Sequence, residues 1–251
     1  MIAIPGFNIS LIYYPFFKQN RREILDIKSA LESFDNTVYP FEANQDLIPN
    51  LKKYSLDLAF NLTRNANANT FDYSISALCE LLEIPLIGPK IFTASVCSAK
   101  ETLLPILQHD GILLLNRLET REFSNFIQIF LLVNKEFLFF IKPTSQITIN
   151  AVTEAKIKDL CKKTFQSIHG SNYCEFGVYL DKNTNPILVR IDPMPDLEKI
   201  ADFARSAKKL HGLDYNDFIN LIILNAASRA NLPIPDHYQS LRDSWAGSAE
   251  L

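Results

Sequence analysis

Glycine is scarce in this sequence, at only 7 of 251 residues, about half of ordinary usage. Loops that wrap backbone amides around phosphate consume glycine, so few such loops can be built here. Cysteine is also sparse. Cys79, Cys97, Cys161 and Cys174 are scattered, without the close pairing that a structural zinc site requires. The stretch Met1 to Phe7 has no basic region leading into a long apolar run and a small-residue cleavage site. No basic excess exists either. The net charge of −3 and a pI of about 5.8 leave no electrostatic footprint for nucleic acid. The greasiest run, Phe126 to Ile141, is broken by Gln128, Asn134, Lys135 and Glu136 and falls short of a membrane span. The expectation is a reduced, soluble, cytoplasmic protein whose partners include neither nucleic acid nor a membrane.

What is present fits a globular α/β chain. Hydrophobic residues make up 47% and charged residues 21%, and the length suits one large domain or two small ones. The first third alternates strand and helix. Asn8 to Tyr14 is apolar and rich in β-formers, and Arg21 to Ser33 carries Ile24, Ile27, Ala30 and Leu31 at helical spacing. Short strands are expected at Thr37 to Tyr39, Leu56 to Leu62 and Ile84 to Ile87. Helices are expected at Asp46 to Lys53 and Thr70 to Leu82, with a polar loop from Thr63 to Asn69. Such alternation implies a parallel sheet flanked by helices.

Further on, a helical stretch covers Thr93 to Asp110, with Pro105 expected to bend it or mark a break and Gly111 as its stop. The middle of the chain reads as a helix around Phe123 to Val133 and strands at Phe137 to Ile141 and Ile147 to Ile149. Thr153 is the expected cap of a helix through Ile157, Leu160, Cys161, Phe165 and Ile168, and Gly170 its left-handed end. Tyr173 to Leu180 and Pro186 to Ile191 form a hairpin. Helices at Leu197 to Lys209 and Asp214 to Ala230 follow, and the tail from Asn231, with Pro233 and Pro235, is expected to be loosely attached.

Three stretches carry a resemblance. Asp57-Leu-Ala-Phe-Asn61 with Ser76-Ala-Leu-Cys-Glu-Leu-Leu-Glu-Ile-Pro-Leu-Ile-Gly88 is the first. Ser98-Ala-Lys100, followed by Leu103, Leu104 and Gly111, is the second. The third and most specific is Leu180-Asp-Lys-Asn-Thr-Asn-Pro-Ile-Leu-Val-Arg-Ile-Asp-Pro-Met-Pro195, with Phe203-Ala204-Arg205 and Gly212-Leu-Asp-Tyr215. In this order they resemble the D-alanine–D-alanine ligase branch of the ATP-grasp superfamily. The resemblance implies an N-terminal α/β domain over residues 1–92, a truncated ATP-grasp-like domain over 93–230 and a tail over 231–251.

Such ligases phosphorylate a carboxylate with ATP and let an amine displace the phosphate, with metal ions bridging the phosphates. The family holds magnesium with an Asp on the first hairpin strand and a Glu and an Asn near the end of the second. At the matching positions this chain has Gly177, Arg190 and Asp192. Gly177 offers no ligand, and Arg190 places a cation where a dication belongs. Asp192 could still coordinate, or could be a turn residue ahead of Pro193. Lys100 and Lys142, the latter in Phe140-Ile-Lys-Pro143, match lysines that contact nucleotide phosphates; either could equally be a solvated lysine. After Lys142 comes Thr144 to Asn150, with no glycine where the family has a phosphate-covering loop. Too few residues follow for the family's central domain and its adenine hinge. Arg64-Asn65 stands where the family has Glu-Gly, and the glycine-rich substrate loop has no match from Phe7 to Asn20.

Other chemistry is thin. His109, His169, His211 and His237 are isolated, Asp72 or Glu80 could be acids of the Thr70 helix but read as well as solvated helix residues, and Cys174 reads as a small core residue. Two functions are therefore expected to compete. One is a degenerate ligase that binds a protein partner or self-associates as a regulatory subunit, with no cofactor, motivated by the apolar segment Phe123 to Phe140. The other is an active ATP-dependent carboxylate–amine ligase that uses ATP and magnesium through Lys100, Lys142 and Asp192. A weaker third is a sensor that binds an amino acid between two lobes.

Overall fold

The computed structural model describes residues 5–14, 18–64, 73–115, 126–134, 136–143 and 149–246. Its first half is a parallel sheet. Strand β1 (Asn8–Tyr13) pairs with β2 (Thr37–Glu42) on one side and β3 (Leu58–Asn61) on the other, and β4 (Leu86–Ile87) follows β3. The order β2-β1-β3-β4 reverses direction at β1, the place where doubly wound sheets open a crevice at the strands' carboxyl ends. β1 and β3 are central strands. Ile9, Leu11, Leu58 and Phe60 have no more than traces of exposure, which explains their near-continuous apolar character. Helix α1 (Lys18–Glu32) covers the sheet with Ile24, Ile27, Ala30 and Leu31, as its spacing predicts, and α2 (Leu47–Lys53) and α3 (Tyr73–Leu81) flank it.

The helical stretch expected from Thr93 to Asp110 is two helices, α4 (Ile91–Ser98) and α5 (Lys100–His109), divided ahead of Pro105. The break falls at Ala99, which is extended (φ −135°, ψ 130°), and α5 runs through Pro105. The Thr102 hydroxyl donates to the Val96 carbonyl at 3.1 Å and the Ala99 carbonyl at 2.8 Å, taking up acceptors that the break releases.

The second half is an antiparallel sheet in the order β6-β5-β7-β8, built from β5 (Phe126–Asn134), β6 (Glu136–Pro143), β7 (Tyr173–Leu180) and β8 (Pro186–Asp192). The expected helix around Phe123 to Val133 is overturned, since β5 is the second strand from the edge. Ile127, Ile129 and Leu131 face one core and Phe130 and Leu132 another, all buried. A strand covered on both faces loses its polar alternation and reads like a buried helix. The β7–β8 hairpin is as the sequence predicts, with a register shift between Gly177 and Val178. The expected strand Ile147 to Ile149 falls mostly on residues outside those described, as do the first turn of the Thr70 helix, Asp72, and Asn65 to Asn69 of the polar loop.

Helix α6 (Ala151–Ser167) is capped by Asn150, whose side chain accepts the Thr153 N–H at 2.8 Å, so Thr153 is not the cap. At its far end His169, not Gly170, takes the left-handed conformation (φ 52°). Gly170 is needed for room, because a Cβ there would sit 2.3 Å from the Phe165 ring. Helix α7 (Asp202–His211) begins five residues later than its apolar pattern suggests. The Leu197 N–H is bonded to Glu23 at 3.0 Å and its carbonyl to the Tyr215 hydroxyl at 2.8 Å, so neither is available to a helix.

Helix α8 (Tyr215–Arg229) is buried along Phe218 to Ala227 and packs against α1, α7, β4 and β5. Its core runs without interruption from Ile9 and Phe60 to Phe130 and Phe203. The tail is not loose. Helix α9 (His237–Ala246) seats Tyr238 in that same core. Its hydroxyl donates to the Asn220 side chain at 2.7 Å and accepts from Asn36 at 2.7 Å. Among the described residues no helix is long and apolar enough to cross a membrane.

Candidate functional site

Register places three of the sequence-predicted positions in one row. Lys142 pairs with Gln128, Gln128 with Gly177, and Gly177 with Arg190. Asp192 lies one step along, opposite Glu175. The opposite face of β7 packs Cys174, Phe176, Val178 and Leu180 into the core beneath α6. The row therefore belongs to the face turned toward α7 and the parallel lobe.

Arg190 fills the centre of that row. Its Nη2 lies 2.5 Å from Asp192 Oδ2 and its Nη1 lies 3.3 Å from Glu175 Oε1. Glu175 is 5% exposed and also accepts from Gln128 Nε2 at 3.1 Å. Burial raises the Glu175 carboxyl above the usual carboxylate range, against the pull of Arg190. Burial lowers the Arg190 guanidinium, but Glu175 and Asp192 outweigh it and hold the group firmly protonated. Asp192 Oδ1 accepts the Met194 N–H at 3.0 Å, the turn geometry of an Asp before proline. Both its oxygens are thus engaged. Glu175 is the residue that the sequence did not disclose, because a lone acid inside a core strand carries no motif.

Gly177 is closed off as well. A Cβ there would meet the Phe126 ring at 2.8 Å and Arg190 Cβ at 3.1 Å. An aromatic ring occupies the space into which a metal-binding side chain would grow. Lys142, nearly half exposed, is paired with Asp202 Oδ2 at 2.7 Å, and Asp202 also takes Arg205 at 2.6 Å. Lys100 is exposed as the first residue of α5, and being on a helix it is not part of the row.

A second ion pair closes the crevice at the carboxyl ends of β1 and β3. Arg64, just beyond β3, places Nη2 2.5 Å from Glu23 Oε1 and 3.5 Å from Asp196 Oδ1. Glu23 is 1% exposed, and its Oε2 has no partner among the described residues. Burial raises its carboxyl, opposed by Arg64 and by the Leu197 N–H. The arginine at the position where the family has Glu thus neutralises a buried acid of α1 and ties the parallel lobe to the segment after β8.

Each carboxylate of the cleft thus has a cation from the same chain. Among the described residues no three His, Cys, Asp or Glu side chains converge on a point where a metal ion would sit. The donor set that magnesium takes, several hard oxygens with open lone pairs, does not fit Asp192 and Glu175 as they stand.

The remaining candidates are placed elsewhere. His211 rests edge-on against the Phe140 ring at 4.8 Å, His169 packs on Phe92 at 4.6 Å, and His237 lies against Tyr238. Glu80 accepts the Ile91 N–H at 2.9 Å. A groove of about 670 Å³ lies between α5 and α6, away from the cleft. On its wall Asp110 binds His109 at 3.0 Å and also accepts from Ser167. The acid is central there, so the serine hydroxyl is directed at a carboxylate and not at the imidazole that would activate it. Burial pushes the thiols of Cys79 and Cys97 up to about 12 and raises Cys161 and Cys174 further, so none is a nucleophile near neutrality.

A parallel α/β lobe joined to an antiparallel sheet, with a cleft between them, defines a truncated ATP-grasp-like fold. The chain belongs to the D-ala D-ala ligase C-terminus family, whose model matches residues 90–224. Among solved structures it is similar to the D-alanine–D-alanine ligase of Bacillus anthracis complexed with ATP, at 14% identity and a TM-score of 0.74, over 90% of this chain and 99% of that one. The ligase of Coxiella burnetii matches at 14% identity and a TM-score of 0.69, over 99% and 100%. The VanG D-Ala:D-Ser ligase of Enterococcus faecalis matches at 11% and 0.65, over 88% and 99%. No curated protein sequence matches the chain.

Proposed function

We propose that this chain is a degenerate D-alanine–D-alanine ligase-like protein that performs no ligation and serves as a partner-binding or regulatory subunit. The observation that carries this reading is Arg190, whose guanidinium spans Glu175 and Asp192. A metal ion is useful in phosphoryl transfer because it accepts lone pairs from phosphate and carboxylate together. A guanidinium only donates, and this one directs donors to carboxylates of its own chain. The ring over Gly177, the Lys142–Asp202 pair and the Arg64–Glu23 pair support the reading in the same sense. The charges of the cleft pair with one another within the chain.

The competing reading is an ATP-dependent carboxylate–amine ligase in which Lys100 and Lys142 contact phosphate and Asp192 a magnesium ion. It requires Lys142 to leave Asp202 and Asp192 to leave Arg190. Thermal denaturation with and without millimolar Mg-ATP separates the two, since a ligand that binds only the folded state raises the midpoint. No shift, and no heat in a titration, is the expected result. A saturable shift that is lost in Lys142→Ala would put nucleotide at this cleft and favour the ligase reading instead.

A further inference from the structure

Among the described residues, the antiparallel sheet has a segment paired to one outer edge and none paired to the other. At β8 the Leu115 N–H donates to the Leu188 carbonyl at 2.9 Å, which pairs a passing segment with the strand. At β6 nothing of that kind occurs among the described residues. The Val133 N–H donates to the Asn172 carbonyl at 2.9 Å, which fixes which residues of β5 point toward β7. Strict alternation along the regular β5–β6 register then turns the N–H and C=O groups of Phe137, Phe139 and Ile141 outward. Among the described residues, the group that meets them is the His211 ring, which donates to the Phe139 carbonyl. Natural proteins protect such edges with charges, bulges or proline. From Phe137 to Ile141 this strand has none of these, and all five residues are partly or fully buried apolar side chains.

Cations line this edge on the α6 side. Lys162 Nζ lies 5.4 Å above the Phe137 ring and has no carboxylate partner among the described residues. One turn earlier Lys158 is near enough to His211 to disfavour its protonation, and it is shared with Glu154 at 2.6 Å. We infer that the outer edge of β6 is a docking site for an extended acidic segment of a partner protein, which displaces the His211 ring from the Phe139 carbonyl and adds as a fifth strand through Phe137, Phe139 and Ile141, with its acidic side chains toward Lys158 and Lys162. Backbone pairing supplies affinity in this mode, and the alternating side chains supply specificity. A second copy of the chain fits less well. Antiparallel pairing of β6 with itself keeps both α6 helices on one face and brings their lysines together, where like charges repel.

This inference rests on the partner-binding reading and names the surface and the chemistry of the partner. Its test uses the whole protein and a fluorescein-labelled octapeptide of alternating valine and glutamate, followed by fluorescence anisotropy. Saturable binding is expected, weakened about fivefold or more in Lys162→Glu, and absent for a valine–lysine peptide. A valine–glutamate peptide with alternate backbone nitrogens methylated keeps its charge but cannot pair as a strand, and it should not bind. Equal binding of the methylated peptide would reduce the interaction to charge alone and overturn the proposal. So would no binding at millimolar peptide, or light scattering that finds a dimer dissociated by Ile141→Pro. Failure of the peptide with Mg-ATP still unbound would remove this docking site and leave the non-catalytic reading standing.

Discussion

At the scale of single residues, Arg190 gives the protein a measurable pH signature. Arg190→Ala leaves Glu175 buried beside Asp192 with Gln128 as its remaining partner. A loss of about 1–2 kcal/mol at pH 7 is expected, below the cost of breaking a fully buried pair because the guanidinium is half exposed. Burial already holds the Glu175 carboxyl above its ordinary value. The folded state therefore binds that proton more tightly than the unfolded chain, and the associated stability is present in acid and fades as pH rises through the folded value. Without Arg190 that value moves higher still, so the variant's deficit should shrink between pH 7 and pH 5. Urea denaturation at both pH values measures it, and an unchanged deficit would refute the assignment. Gly177→Asp, which restores the family's acid, should cost about 1–3 kcal/mol by displacing the Phe126 ring. It should bind no manganese in a titration followed by electron paramagnetic resonance.

At the scale of elements, the C-terminal helix is held by a satisfied polar triad. Tyr238→Phe removes one bond each from the Asn36 and Asn220 amides, which remain bonded to each other at 3.3 Å, and a loss of about 0.5–1.5 kcal/mol in chemical denaturation is expected. Elements with a local signal could be read from sequence: α1 by its spacing, and the β7–β8 hairpin by its turn even though β7 is buried on both faces. Misreadings came where periodicity is erased or outvoted by distant partners. β5 is covered on both faces, α7 is delayed because Glu23 and Tyr215 claim the backbone of Leu197, and the prolines ahead of α9 conceal a docked helix. The candidate site was half legible. Gly177, Arg190 and Asp192 stand out by departing from a family pattern, whereas Glu175, Glu23 and Asp202 acquire their roles only when strands and lobes come together.

At the scale of the whole molecule, one apolar core extends from the parallel sheet through α8 to the face of β5 and β6. The Leu197 N–H to Glu23 bond at 3.0 Å, the Arg64–Asp196 contact at 3.5 Å and the Lys199 N–H to Asp26 contact at 3.3 Å join the same two halves. Ligases that open and close around substrates need an interface that parts at low cost. A shared core makes parting expensive, and the folded state should melt in one transition. The cysteines allow a check. With every thiol raised by burial, the native protein should react with Ellman's reagent far more slowly than the urea-unfolded chain, which exposes all 4. The yellow colour released by that reaction would then serve as a clock for global opening, read without any added label.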